Sequence, residues 1–104
     1  MTRKKDQAPS YNAALSGDDT ATLLLGDWVQ VVSSNVGEVK YEEDKKVFTV
    51  GFHDFKRGVL DYYLYDNVPL DLVLAFATAP SKGKFINRYF VKSGWHFTKG
   101  VRFA

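Results

Sequence analysis

From Val36 the chain alternates between apolar and polar side chains. Val39 and Tyr41 fall on one side of an extended segment, Glu38 and Lys40 on the other, the two-residue period of a half-buried strand. The polar run Glu42-Glu43-Asp44-Lys45-Lys46 predicts a hairpin turn. Val47 to Phe52 then resumes the period, with Phe48, Val50 and Phe52 together. A second turn, His53 to Gly58, leads into a third strand, Val59 to Tyr65. In that strand Leu60, Tyr62 and Leu64 compete with Tyr63 and Tyr65 for the inward face. Such a pattern predicts a strand covered on both sides, or one that presents tyrosines outward.

The period changes at Val68-Pro69, which opens a helix. Leu70, Val73, Leu74 and Ala77 recur at helical spacing, Leu72 and Phe76 widen the stripe, and Pro80 ends it. Ser81 caps a second helix from Lys82 to about Val91. On it Phe85, Ile86, Tyr89 and Phe90 gather on one side, and Lys84, Arg88 and Lys92 on another. Ser93-Gly94 terminates this helix. Residues 1–22 lack periodicity and read as a polar N-terminal arm. Within it Asp18 or Asp19 caps a short turn over Ala21 to Leu25, ended by Gly26. Trp28 to Val32 predicts a strand broken by Ser33-Ser34-Asn35. Beyond Gly94, Trp95 to Ala104 alternates loosely, as an edge strand or a segment packed on the sheet. The expected fold is α+β: one domain over residues 23–104, a small three- to four-stranded antiparallel meander with two consecutive helices packed on one face.

Composition adds the material of the core. Among 104 residues, eight Phe, six Tyr and two Trp supply large flat side chains, each burying on the order of 150–250 Å². There is no Cys, which excludes disulfides, a thiolate nucleophile and Cys-based metal sites, and is compatible with a cytoplasmic setting. The longest apolar run, Leu72 to Ala77, is far below the ~20 residues of a membrane span, so no membrane partner is expected. No apolar stretch follows the charged N-terminus as a secretory signal would require. His53 and His96 are the only histidines, with no His-x-x-x-His spacing and no nucleophilic triad order. No catalytic residue, metal or cofactor is therefore assigned.

Charge is sharply segregated. Residues 6–71 hold all twelve acids against five basic side chains, whereas residues 72–104 hold six basic side chains and no acid. A one-signed segment of this kind attracts polyanions. Ser81-Lys82-Gly83-Lys84 at a helix start suits a phosphate, through backbone N–H groups and two lysines. Arg88 and Lys92, extended by Lys99 and Arg102, would continue the track along a backbone. Tyr63, Tyr65 and Trp95, the last beside His96, are the candidates for stacking on unpaired bases. The expected partner is RNA or single-stranded DNA. The alternative is a protein partner, with Trp28, Trp95 and the arm docking into a larger assembly.

A recurrent pattern runs through these segments: Val31-x-Ser33-Ser34-Asn35-Val36, Val39-x-Tyr41, Phe48-x-Val50-x-Phe52, Tyr63-x-Tyr65-x-x-Val68-Pro69 and Ala79-x-Ser81-Lys82-Gly83-x-Phe85-x-Asn87. It resembles the KTSC domain, over residues 31–92. Departures are the extra turn at His53 to Arg57 and Pro80 between Ala79 and Ser81. KTSC domains occur at the C-terminus of some lysyl-tRNA synthetases and alone in short bacterial and phage proteins. The resemblance implies a single-domain bacterial or phage protein, and its association with a tRNA enzyme suggests RNA binding.

Overall fold

The fold is described from a computed structural model over residues 14–102. Residues 1–13 of the expected arm, and the last two residues, lie outside the described residues. Helix α1 spans Gly17–Leu24, so most of the sequence's arm beyond residue 16 is helical. Its cap is Ser16, whose Oγ accepts the Asp19 N–H at 3.0 Å. Asp18 and Asp19 instead occupy the first turn, where their charge complements the helix dipole.

Five strands follow the chain in order, each antiparallel to the next: β1 (Val29–Gln30), β2 (Val36–Glu42), β3 (Val47–Asp54), β4 (Val59–Tyr65) and β5 (Phe97–Gly100). The sheet has one strand more than the upper expected count, and its short members are β1 and β5, within the segments Trp28 to Val32 and Trp95 to Ala104. β1 pairs only Val29 with Val39 and Gln30 with Glu38 before the Ser33-Ser34-Asn35 loop turns it away. β5 pairs with β4 from Tyr65↔Phe97 to Tyr62↔Gly100. Between β4 and β5 lie α2 (Leu70–Thr78), α3 (Lys82–Ile86) and a π-helical turn, Asn87–Val91.

Register sorts the sheet into two faces. Tyr41, Phe48, Tyr65 and Phe97 form one row, and Val39, Val50, Tyr63 and Lys99 the row beside it. The helices pack on this face. Phe48 meets Phe76 of α2 at 5.3 Å between ring centres and Phe90 of the π-turn at 5.6 Å. Leu23 of α1 joins the same buried cluster. The anchoring stripe of α2 is Val73, Phe76 and Ala77. Leu74, expected inward, is 37% exposed, because the helix is turned to aim Phe76 at Phe48.

The opposite face resolves the ambiguity of β4. Leu60, Tyr62 and Leu64 lie there over glycines: a Cβ on Gly37 would fall 2.8 Å from Leu60, on Gly51 2.9 Å from Tyr62, and on Gly100 2.9 Å from Leu64. Large side chains lie nearly flat on bare backbone, so this strand is partly covered on both sides. Glu38, 4% exposed, is the polar centre of this face. Its carboxylate accepts Tyr62 OH (2.5 Å), Gln30 Nε2 (2.8 Å) and Arg102 Nε (2.8 Å). Trp28 packs edge-on against Tyr62 and lies under the Arg102 guanidinium, 4.8 Å from the ring centre.

Burial, then the hydrogen bond to Glu38 and its charge, push the Tyr62 hydroxyl up to about 12. Burial raises Tyr65 to about 12 as well. A phenol whose folded pKa exceeds the ordinary value of 10.0 contributes stability that is complete below that value and lost as pH rises through about 12. Urea unfolding followed between about pH 9 and 12 should show falling stability. Tyr62→Phe, which cannot ionise, should start lower but fall less steeply, and an unchanged slope would refute the assignment.

Candidate functional site

Pro80 stops α2, and Ser81 caps α3 by accepting the Lys84 N–H at 3.3 Å. Lys82 then turns inward and is 2% exposed. Its ammonium donates to the carbonyls of Ala77 (3.3 Å) and Ala79, and sits 5.6 Å from the centre of the Phe76 ring. The last carbonyls of a helix have no donor within it, and Lys82 serves two at the end of α2. Burial lowers its pKa. The expectation that Lys82 contacts phosphate is therefore corrected: its charge is engaged within the fold.

Gly83 carries a second correction. Ser33-Ser34-Asn35 faces α3 across a polar cleft of 430 Å³ lined also by Ser81, Lys84 and Asn87. Across it, a Cβ on Gly83 would collide with Asn35 Oδ1 and lie 2.8 Å from Ser33 Oγ. The loop closes on itself, Ser33 Oγ donating to Asn35 Oδ1 (2.9 Å) and accepting the Asn35 and Val36 N–H groups (3.3 and 3.4 Å). Glycine thus admits the neighbouring loop, where the sequence reading had it admit a ligand. Ser81, Lys82 and Gly83 form a joint that seats α3 against the β1–β2 loop.

What this joint holds outward is basic. Lys84, Arg88 and Lys92 are exposed along α3 and the turns after it, as is Lys99 on β5. Among the described residues none of the four is ion-paired to a carboxylate. Arg102 differs. It crosses to the opposite face and is held by Glu38, so it does not extend the ridge.

The expected stacking residues are engaged too. Tyr65 is 1% exposed and packs on Phe90 at 4.8 Å. Tyr63 is stacked on Phe97 at 4.6 Å, meets Phe52 edge-on at 5.1 Å and has Lys99 Nζ 5.2 Å from its centre. Trp95 donates its indole N–H to the Asp66 carbonyl (2.7 Å), with its ring against Phe90. His96 Nδ1 lies 2.7 Å from Asp66 Oδ2. Tyr65 and Trp95 are packing residues, which corrects their assignment.

An aromatic side chain that stands beside Arg88 on the ridge is Tyr89, 40% exposed. A 3.6-residue period places it inward with Phe85, Ile86 and Phe90. The backbone instead opens into an i→i+5 turn, Lys92 N–H to Asn87 carbonyl at 2.8 Å. Ile86 and Phe90 remain buried while Tyr89 is carried to the surface beside Arg88. No feature of the apolar pattern signals that wider turn.

Among the described residues, no three His, Asp or Glu side chains cluster to hold a metal ion, and no helix is long and apolar enough to cross a membrane. An antiparallel meander with helices on one face, joined through Ser-Ser-Asn and Ser-Lys-Gly, defines a small α+β domain with a basic helical flank. The chain belongs to the KTSC domain family, which matches residues 32–93. It is similar to the crystal structure of a KTSC domain protein from Yersinia pestis, at 25% identity over 72% of this chain and 97% of that one, with a TM-score of 0.60. No curated protein sequence is significantly similar to the chain.

The joint separates two adjacent lysines by role. Gly83→Ala should cost about 1–3 kcal/mol from overpacking, and Lys82→Ala about 1–3 kcal/mol from the Ala79 carbonyl left without its donor. Lys84→Ala should stay within about 0.5 kcal/mol of the parent. Urea midpoints of the three variants check this, and equal losses at Lys82 and Lys84 would contradict it.

Proposed function

We propose that this chain is a noncatalytic nucleic-acid-binding module, for RNA or single-stranded DNA, with α3 and the π-turn lying against phosphates. One observation carries the reading: Lys84, Arg88, Lys92 and Lys99 lack carboxylate partners among the described residues, in a stretch with no acid after Asp71. A surface that serves only solubility mixes both signs. An unbalanced one attracts polyanions and releases their counterions on contact. The kinship of the domain with the C-terminal unit of lysyl-tRNA synthetases favours RNA by association, and a cytoplasmic single-domain protein of bacterial or phage origin suits the role.

A labelled single strand titrated at several salt concentrations tests this. The parent should bind with a steep salt dependence. Replacing Lys84, Arg88 and Lys92 together by Gln should weaken binding and flatten the log–log slope by about 2, from roughly 0.7 per lost contact. Arg102→Gln should leave the slope unchanged, because its guanidinium is engaged with Glu38. Absence of salt-dependent binding, with stoichiometric capture of a host protein after nuclease treatment, would replace this reading with protein docking.

A further inference from the structure

We propose that Tyr89 is a base-stacking platform, so that the preferred ligand is an unpaired strand and not a duplex; this rests on the reading of the basic flank as a nucleic-acid surface. A row of cations alone recognises any phosphate backbone. Discrimination for single strands requires an accessible aromatic face within reach of the same phosphates. The aromatics that sequence favoured are occupied: Tyr65 and Trp95 by Phe90, and Tyr63 by Phe97 and Phe52.

Tyr89 is placed differently. It lies on the exposed side of the turn, between Arg88 and the Lys92 end of the ridge, and is 40% exposed. One side of its ring is braced by Phe85, with centres 4.5 Å apart and a tilt of 37°. That support fixes the orientation of the ring without burying it. The Arg88 guanidinium lies over the ring, 5.5 Å from its centre, and a stacking base would take its place on that face while the guanidinium turns to the adjoining phosphate. The π-turn is what makes this possible. It lets Phe90 fill the core while its neighbour faces solvent, and such turns recur at functional sites. Stacking needs only a π-face, so the contact tolerates any base.

The test uses the full chain and three labelled probes of equal length: oligo(dT), oligo(U) and a DNA duplex, followed by fluorescence anisotropy. Tyr89→Ala should weaken binding of both single strands by roughly five- to 150-fold, with duplex binding and the salt slope unchanged. Tyr89→Phe should restore parental affinity. Tyr89→Leu, which keeps an apolar body against Phe85, should fail as Ala does, separating stacking from folding. Urea midpoints verify that each variant is folded. The ratio of oligo(U) to oligo(dT) affinity tells RNA from DNA as the source of the base. Equal losses for single strands and duplex, or none, would overturn the stacking assignment while the lysine and arginine variants still support the module. Failure of the parent to bind any probe would overturn both.

Discussion

Phe48 is the contact on which the rest of the domain depends. It sits on the central strand, pairs across the sheet with Tyr41 and Tyr65, and touches rings from two helical segments, Phe76 of α2 and Phe90 of the π-turn. Edge-on and tilted packing of this kind adds direction to burial, because ring quadrupoles favour some crossing geometries over others. The orientation of α2 follows from Phe76 meeting Phe48, and the start of α2 is fixed by Tyr41, whose hydroxyl donates to the Val68 carbonyl at 2.7 Å. With α2 set, the carbonyls at its end fix where Lys82 points. The next turn is seated by Gly83 against Asn35. An outward basic helix is thus the final step in a series of inward constraints.

The two faces of the sheet handle charge in contrasting ways. On the helical side, cations stand outward on α3 and its continuation, away from acids. On the other side a buried carboxylate, Glu38, is fully surrounded by donors from three segments of the chain. A buried charge is tolerable when it is paired and hydrogen-bonded, and Glu38 meets that condition. Of the cations in the C-terminal third, Arg102 crosses to this face, where Lys40 also lies over the Trp28 ring.

Sequence periodicity revealed the meander well, because Val39, Tyr41, Phe48 and Val50 share one face of β2 and β3 and a one-residue slip would turn them away from the helices. It anticipated a strand at Trp28 to Val32, but not that β1 pairs over only two residues, nor the depth of burial of Lys82. A lysine after a capping serine looks solvated until the Ala79 carbonyl is seen to need a donor. Likewise Ser81-Lys82-Gly83 has the chemistry of an anion site in one dimension and of a structural joint in three. Tyr89 was hidden for a different reason: a helical wheel assumes an α-turn, and the backbone here widens. Lys84, Arg88 and Lys92 were legible because four-residue spacing survives that widening closely enough to keep them outward.

The tie between Glu38 and Arg102 spans 64 positions along the chain. Closing so long a loop is entropically unfavourable unless the intervening segments are already ordered. The last strand, paired with β4 and stacked through Phe97 on Tyr63, gains this tie only when β2, β4 and the segment before β1 have brought Glu38, Tyr62 and Trp28 to the same spot. In assembly terms the C-terminal strand acts as a fastener, closing only over a correctly registered sheet.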